Sequence, residues 1–128
     1  MQGIRNGKSL GLLVDQKVNP KYGGIWVRFL GRPMPVSAAP AFFAAKAKVP
    51  IIMAWARSLN GGRQRCELIR IYGPEETRDI WRMTQRCAHD LERIIRRHPS
   101  CWILNYNYFS TEPTAEEIAA LKERESRS

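Results

Sequence analysis

The first 64 residues hold a single acid. Asp15 stands there against ten Lys and Arg, whereas residues 65–128 hold eleven basic and eleven acidic residues, so the net charge of +9 belongs to the first half. A field of that sign disfavours cationic partners and favours nucleic acid, anionic lipid or an acidic carrier protein. Long apolar runs are missing too. Nothing approaches the roughly 20 residues that span a bilayer. Met1-Gln2-Gly3-Ile4-Arg5 does not lead into the apolar stretch of a signal peptide, so a cytosolic face is expected. Cysteine is sparse: Cys66, Cys87 and Cys101 form no C-x-x-C pair, and His89 and His98 do not complete a zinc spacing. Buried thiols in a reducing compartment are expected, with no metal and no cofactor. Self-contained catalytic signatures are absent as well: no G-x-S-x-G elbow, no P-loop, no Rossmann glycine triplet. His89 adjoins Asp90 in a helical pattern, where neighbours do not face each other, and His98 falls at a helix end.

What is present is organised around residues 7–50, and within them around Gly11-Leu12-Leu13-Val14-Asp15-Gln16. Three apolar residues run straight into an acid and an amide. Such an unbroken run predicts a strand over residues 12–16 covered on both faces, as in a parallel sheet. Asp15 would then sit at its carboxyl end, where open α/β sheets bind ligands. A β-rich run over residues 25–30 follows, ended by a Gly31-Arg32-Pro33 turn from which Arg32 could reach a phosphate or carboxylate. Ser37 is the expected N-cap of an alanine-rich helix through Lys48. Residues 50–56 read as a second buried strand, and Asn60-Gly61-Gly62 turns it back into an antiparallel strand over residues 63–72.

Gly73-Pro74 is expected to open the longest helix, with Pro74 in its first turn, Glu75 and Glu76 at the positive end of its dipole, and Pro99 as its stop. Ile80, Met83, Cys87, Leu91 and Ile94 form its apolar stripe. Its arginines read as a solvated face, with Asp90 and Glu92 in reach of Arg86 and Arg96. Residues 102–109 read as an extended aromatic segment, and Thr114-Ala115-Glu116-Glu117 is a capping box before a short charged helix. At 128 residues the chain is one domain or a piece of a larger one.

The order Gly7-Lys8-Ser9-Leu10-Gly11-Leu12-Leu13-Val14-Asp15-Gln16, then Gly24-x-Trp26-Val27-x-Phe29-x-Gly31-Arg32-Pro33, then Ala39-Pro40-Ala41 and Val49-Pro50-Ile51, resembles the lipid A biosynthesis (lauroyl/myristoyl) acyltransferases, a branch of the lysophospholipid acyltransferases. The likeness covers about residues 3–113. It implies the C-terminal half of an αβα fold with a mixed, mostly parallel sheet flanked by helices and a terminal antiparallel hairpin. Residues 1–113 would belong to the acyltransferase domain and residues 114–128 to a charged tail. The implied reaction moves a fatty acyl chain from acyl carrier protein or acyl-CoA to the hydroxyl of an anionic lipid. The implied location is peripheral, on the cytoplasmic face of the bacterial inner membrane.

The family's His-x-x-x-x-Asp/Glu motif supplies a general base to the acceptor hydroxyl. It does not occur here: His89 is followed five residues on by Ile94, and His98 by Ile103. No catalytic residue is therefore assigned, and a missing N-terminal half is an implied partner. The residues implied to bind substrate are Asp15, Gln16, Arg28, Phe29, Gly31, Arg32 and Pro50. Near the end, Tyr106-Asn107-Tyr108 stand where many members carry a basic run. Two other readings remain: a stand-alone basic module for anions or nucleic acid, against which stands the lack of any nucleic-acid motif, and an inactive remnant.

Overall fold

One amphipathic helix, α3 (Ile80–Arg97), carries both halves of the core. In the computed structural model, which describes residues 1–102 and 107–128, Met83 and Cys87 pack with Ala41, Ala44, Ile51, Met53 and Tyr72. Ala88 and Ile95 of the same helix pack with Val27, Phe29, Met34, Val36 and Tyr108. The expected stripe was thus nearly right, although Leu91 and Ile94 are only half-buried and Trp81, Ala88 and Ile95 go deeper.

The helix start is a correction. Gly73 and Pro74 do not open α3; residues 74–77 form turns, and Asp79 caps the helix by accepting the Arg82 N–H (2.9 Å). Side chains hold the turns in place. Glu76 accepts the Gly73 N–H (2.9 Å), and the Thr77 hydroxyl donates to the Pro74 carbonyl (2.9 Å). Such local bonds offer the backbone an alternative to the helix.

The expected pairs on α3 are corrected as well. Arg86 pairs with Glu76 (3.0 Å). Asp90 is buried, accepts from the Tyr72 hydroxyl (2.5 Å) and lies near Arg70 (3.5 Å). Burial pushes the Tyr72 hydroxyl pKa up, and the bond to Asp90 adds to the rise. Glu92 accepts the Leu30 N–H (2.8 Å).

The first sheet is a hairpin of β1 (Gly24–Phe29) and β2 (Arg32–Ser37). Leu30 (φ 49°) and Gly31 (φ 78°) form its two-residue turn, both left-handed as a type I′ turn requires. Arg32 and Pro33 therefore belong to a strand, not to the expected turn. Phe29 and Arg32 flank the turn as a hydrogen-bonded pair, which puts Pro33 and Pro35 at non-bonded positions opposite Arg28 and Trp26. There the missing N–H costs the ladder nothing. On β2's outer side the Val18 N–H donates to the Pro35 carbonyl (2.8 Å). Gly24 has no room for a side chain, since a Cβ would lie 1.9 Å from the Val18 carbonyl oxygen.

The outer edge of β1 is closed by side chains of α3. The Trp81 indole donates to the Trp26 carbonyl (2.8 Å), and the Gln85 amide bonds both the N–H and the C=O of Arg28 (2.7 Å each). Trp81, Gln85 and Glu92 are four and seven residues apart, one face of a helix.

The second sheet pairs β3 (Ile51–Ser58) with β4 (Gln64–Tyr72), the antiparallel hairpin expected around Asn60-Gly61-Gly62. The expectation that residues 50–56 are buried on both faces fails: Ile51 and Met53 are buried, while Ile52 is 62% exposed. Helix α2 (Ala39–Ala47) lies where expected, but Ala38 rather than Ser37 is its N-cap; the Ser37 hydroxyl accepts the Ala39 N–H (3.2 Å) from one residue further out, and Ala41 and Ala44 are in the core. A single turn, α1 (Gln2–Arg5), starts the chain.

Helix α4 (Ala115–Ser126) ends it, with the capping box of Thr114 and Glu117 formed in both directions and Leu121 buried. The fold is thus mixed α/β with four α-helices and two small antiparallel sheets among the described residues. Residues 103–106 of the aromatic segment lie outside the described residues. Of the rest, Tyr108 and Phe109 form a turn, and Trp102, Tyr108 and Phe109 set their rings 6.2–6.5 Å from that of Phe29.

Candidate functional site

The run Gly11-Leu12-Leu13-Val14 is not a strand. Among the described residues no strand pairs with it; the nearest ladder contact is an isolated bridge between Lys17 and Val36. An apolar run becomes a strand only when a neighbour takes its peptide groups. Without one, Leu13 is 82% exposed and Leu12 is exposed as well. Val14 alone turns inward, against the cluster of Ala44, Met53 and Met83.

Asp15 follows in a bend and is half-buried. Its Oδ1 atom is shielded from solvent, with no hydrogen-bond partner among the described residues. An orphaned buried carboxylate oxygen costs free energy, which a ligand donor placed against it would recover. Gln16 beside it is exposed. Lys17 then donates to the Ser110 hydroxyl, tying this segment to the aromatic end of the chain.

A groove of about 390 Å³ runs beside these residues. It is lined by Leu10, Leu12 and Val14, by Phe43 and Ala44 of α2, and by Val49, Pro50 and four successive residues of β3. Among the described residues that line it, Lys8 is the only charged one. The volume falls in the range of about 300–1,000 Å³ common for ligand sites. Two of the expected site residues belong to this region: Pro50 lines the groove, and Asp15 adjoins the lining residue Val14. A cavity of about 20 Å³ beneath Val14 reaches Phe29 and Met34 in the core.

The other expected residues lie on the β1–β2 hairpin. Arg28 holds Glu125 through two bonds (2.9 and 3.0 Å). That contact raises the Arg28 pKa and holds the Glu125 carboxyl below its ordinary range. Phe29 is fully buried among aromatic rings, and Gly31 is exposed in the turn. Arg32 is exposed, with its guanidinium 4.4 Å above the Phe109 ring. The structure therefore gathers the expected residues into two groups rather than one site.

Sequence reasoning missed Leu10, Phe43, Val49, Ile52 and Ala54 as groove walls. The signal for Ile52 and Ala54 was there, in the unbroken apolar run over residues 50–56 read as a buried strand, whereas Phe43 was read as the core side of a helix. Among the described residues no group of three His, Cys, Asp or Glu could hold a metal ion. No helix among them is long and apolar enough to cross a membrane. His89 is exposed, and the His98 ring lies 4.9 Å from that of Trp55.

Compared with known families, residues 1–111 match the model of the bacterial lipid A biosynthesis acyltransferase. A search of curated proteins finds no match.

Proposed function

Since the chain belongs to the bacterial lipid A biosynthesis acyltransferase family, we propose that it forms the acceptor-side wall of a site that transfers a fatty acyl chain to a lipid hydroxyl. The family match over residues 1–111 carries this reading, and the orphaned buried oxygen of Asp15 supports it.

In the transfer, the hydroxyl oxygen attacks the carbonyl carbon of a thioester, the C–S bond breaks, the thiol leaves, and the hydroxyl proton passes to a base. Asp15 accepts a hydrogen bond from the acceptor and orients it. The base belongs to a His-x-x-x-x-Asp/Glu motif that residues 1–128 do not contain, and a further segment supplies it, in the same polypeptide or as a subunit. The donor is acyl carrier protein or acyl-CoA, the acceptor an anionic lipid at the cytoplasmic face of the inner membrane. The net +9 of the first half draws both toward the site. The whole domain would complete a mostly parallel sheet to which this chain contributes. Arg32, whose guanidinium forms no ion pair among the described residues, is the candidate contact for a lipid phosphate.

The basic first half would suit nucleic acid as well, but no nucleic-acid motif accompanies it. Arg28, Arg57, Arg70 and Arg86 each sit on a carboxylate.

The test is acyl transfer to a lipid A precursor, measured with the chain alone and with a relative's segment carrying the motif. Transfer is expected only from the combination. Transfer by the chain alone would show that the motif is dispensable, and no transfer from a folded, associated combination would remove the functional reading.

A further inference from the structure

Helix α4 fits the surface it covers only in part. The family match ends at residue 111, and α4 lies past it, against Trp26 and Arg28, two residues inside the match. Leu121 is the one residue of α4 that is buried. Glu125 holds the Arg28 guanidinium through two bonds (2.9 and 3.0 Å), the forked pairing that arginine makes with a carboxylate. Leu121 and Glu125 are four residues apart and share one face of the helix.

Two positions fit badly. The Trp26 indole nitrogen is shielded from solvent, with no hydrogen bond of good geometry among the described residues. Glu117 lies close to it, but its carboxylate is taken by the Thr114 N–H (2.8 Å), which lowers the Glu117 pKa more than the indole does. At the other end, a cavity of about 310 Å³ between α3 and α4 is lined by Arg82, Arg124 and Arg127, with Asp79 as its one side-chain carboxylate. Asp79 is spent on capping α3 through the Arg82 N–H (2.9 Å), and Glu123 pairs with Arg127. Arg82 and Arg124 form no ion pair among the described residues, so like charges meet there and oppose docking.

We propose that α4 is the intramolecular occupant of a docking face, made by Trp26, Arg28 and Arg82, for a more acidic helix of a partner protein. Tryptophan and arginine are the side chains that most often dominate such interfaces. The partner helix carries an apolar side chain where Leu121 stands and a carboxylate where Glu125 stands. It carries two further carboxylates, at the positions of Glu117 and Arg124. The first, free of a capping box, accepts the indole N–H, and the second pairs with Arg82. Being tethered, α4 keeps the face covered despite its two misfits when no partner is present. The α4 of a second copy would bring the same misfits, so the partner is a different chain. All of this holds whether or not the chain takes part in acyl transfer.

The experiment is hydrogen exchange read by mass spectrometry on the full chain. The probe is a synthetic helix with the α4 sequence, extended by one turn of alanine in place of Thr114 and carrying Arg124→Glu and Arg127→Glu. Its controls are the same peptide with both arginines kept and the same peptide with Leu121→Ser. At saturation the acidic peptide is expected to speed exchange in α4 roughly tenfold while β1 and the start of α3 stay protected, and to act at roughly tenfold lower concentration than the arginine control. In the Arg82→Gln chain that advantage should vanish. Equal potency of the acidic and arginine peptides, or displacement by the Leu121→Ser peptide, overturns the proposal and leaves the face to α4 alone. Anisotropy of the labelled acidic peptide is also measured with the Glu125→Gln chain, whose own α4 is loosened. Absence of binding to both that chain and the wild type overturns the proposal as well.

Discussion

Asp15 is the residue whose chemistry the rest of the chain leaves unfinished. Lys17 is drawn off to Ser110, and no other described side chain bonds the buried Oδ1 of Asp15. If that oxygen receives the acceptor hydroxyl, Asp15→Ala removes both the charge and the acceptor, while Asp15→Asn keeps the shape and one carbonyl oxygen. In the complemented enzyme we expect Asp15→Ala to lower kcat/KM on the order of 10²-fold and Asp15→Asn to fall in between. Both variants should keep or raise their thermal midpoint, because removing an unpaired buried carboxylate oxygen relieves its desolvation cost. Wild-type turnover in Asp15→Ala would end the proposed role. Arg28 shows the opposite situation: its guanidinium is already satisfied by Glu125.

At the level of elements, the chain closes its exposed edges with side chains as well as with strands. Gln85 serves as a strand mimic for β1, since its amide presents one donor and one acceptor to Arg28 as a neighbouring backbone would. Replacing it by Ala leaves two partly buried backbone groups unpaired, so Gln85→Ala is expected to destabilise the fold by about 1–3 kcal/mol. Urea unfolding measures this. A loss below a few tenths of a kcal/mol would mean that water replaces the amide.

Helix α4 is held on β1 by the Arg28–Glu125 pair and by buried Leu121. The Glu125 pKa is depressed, chiefly by the bond to Arg28. Its contribution to stability is therefore present above the ordinary carboxylate range and is lost as pH falls through the lowered folded value. Between pH 7 and pH 3, exchange protection of α4 should fall before that of α3, and Glu125→Gln should flatten this dependence. Equal loss in both helices would show that the pair does not hold α4.

At the scale of the molecule, the two core clusters meet on α3, so the fold is closed on the side of β1 and β2 and open on the side of β3 and β4. The elements legible in the sequence are those whose causes are local. Asn60-Gly61-Gly62 turns a hairpin because glycine tolerates positive φ, Ser37 bonds the first turn of α2, and Thr114 with Glu117 boxes the start of α4. The late start of α3 was hidden because Pro74 with Glu75 and Glu76 makes a plausible first turn, and the competing bonds of Glu76 and Thr77 depend on how that turn folds back. Asp90 and Glu92 could be placed on a helix, but whether each met water, Tyr72 or the edge of β1 depended on which elements packed beside them. The site was legible as composition, a lone acid behind an apolar run in a basic half, and the ordered motifs pointed to the family that the match over residues 1–111 supports. Sequence by itself determined where apolar surface and charge lie along the chain. Only the tertiary structure decided which of that surface is covered, because burial and strand pairing are properties of neighbours, and for residues 9–14 and the edge of β3 those neighbours are not among the described residues.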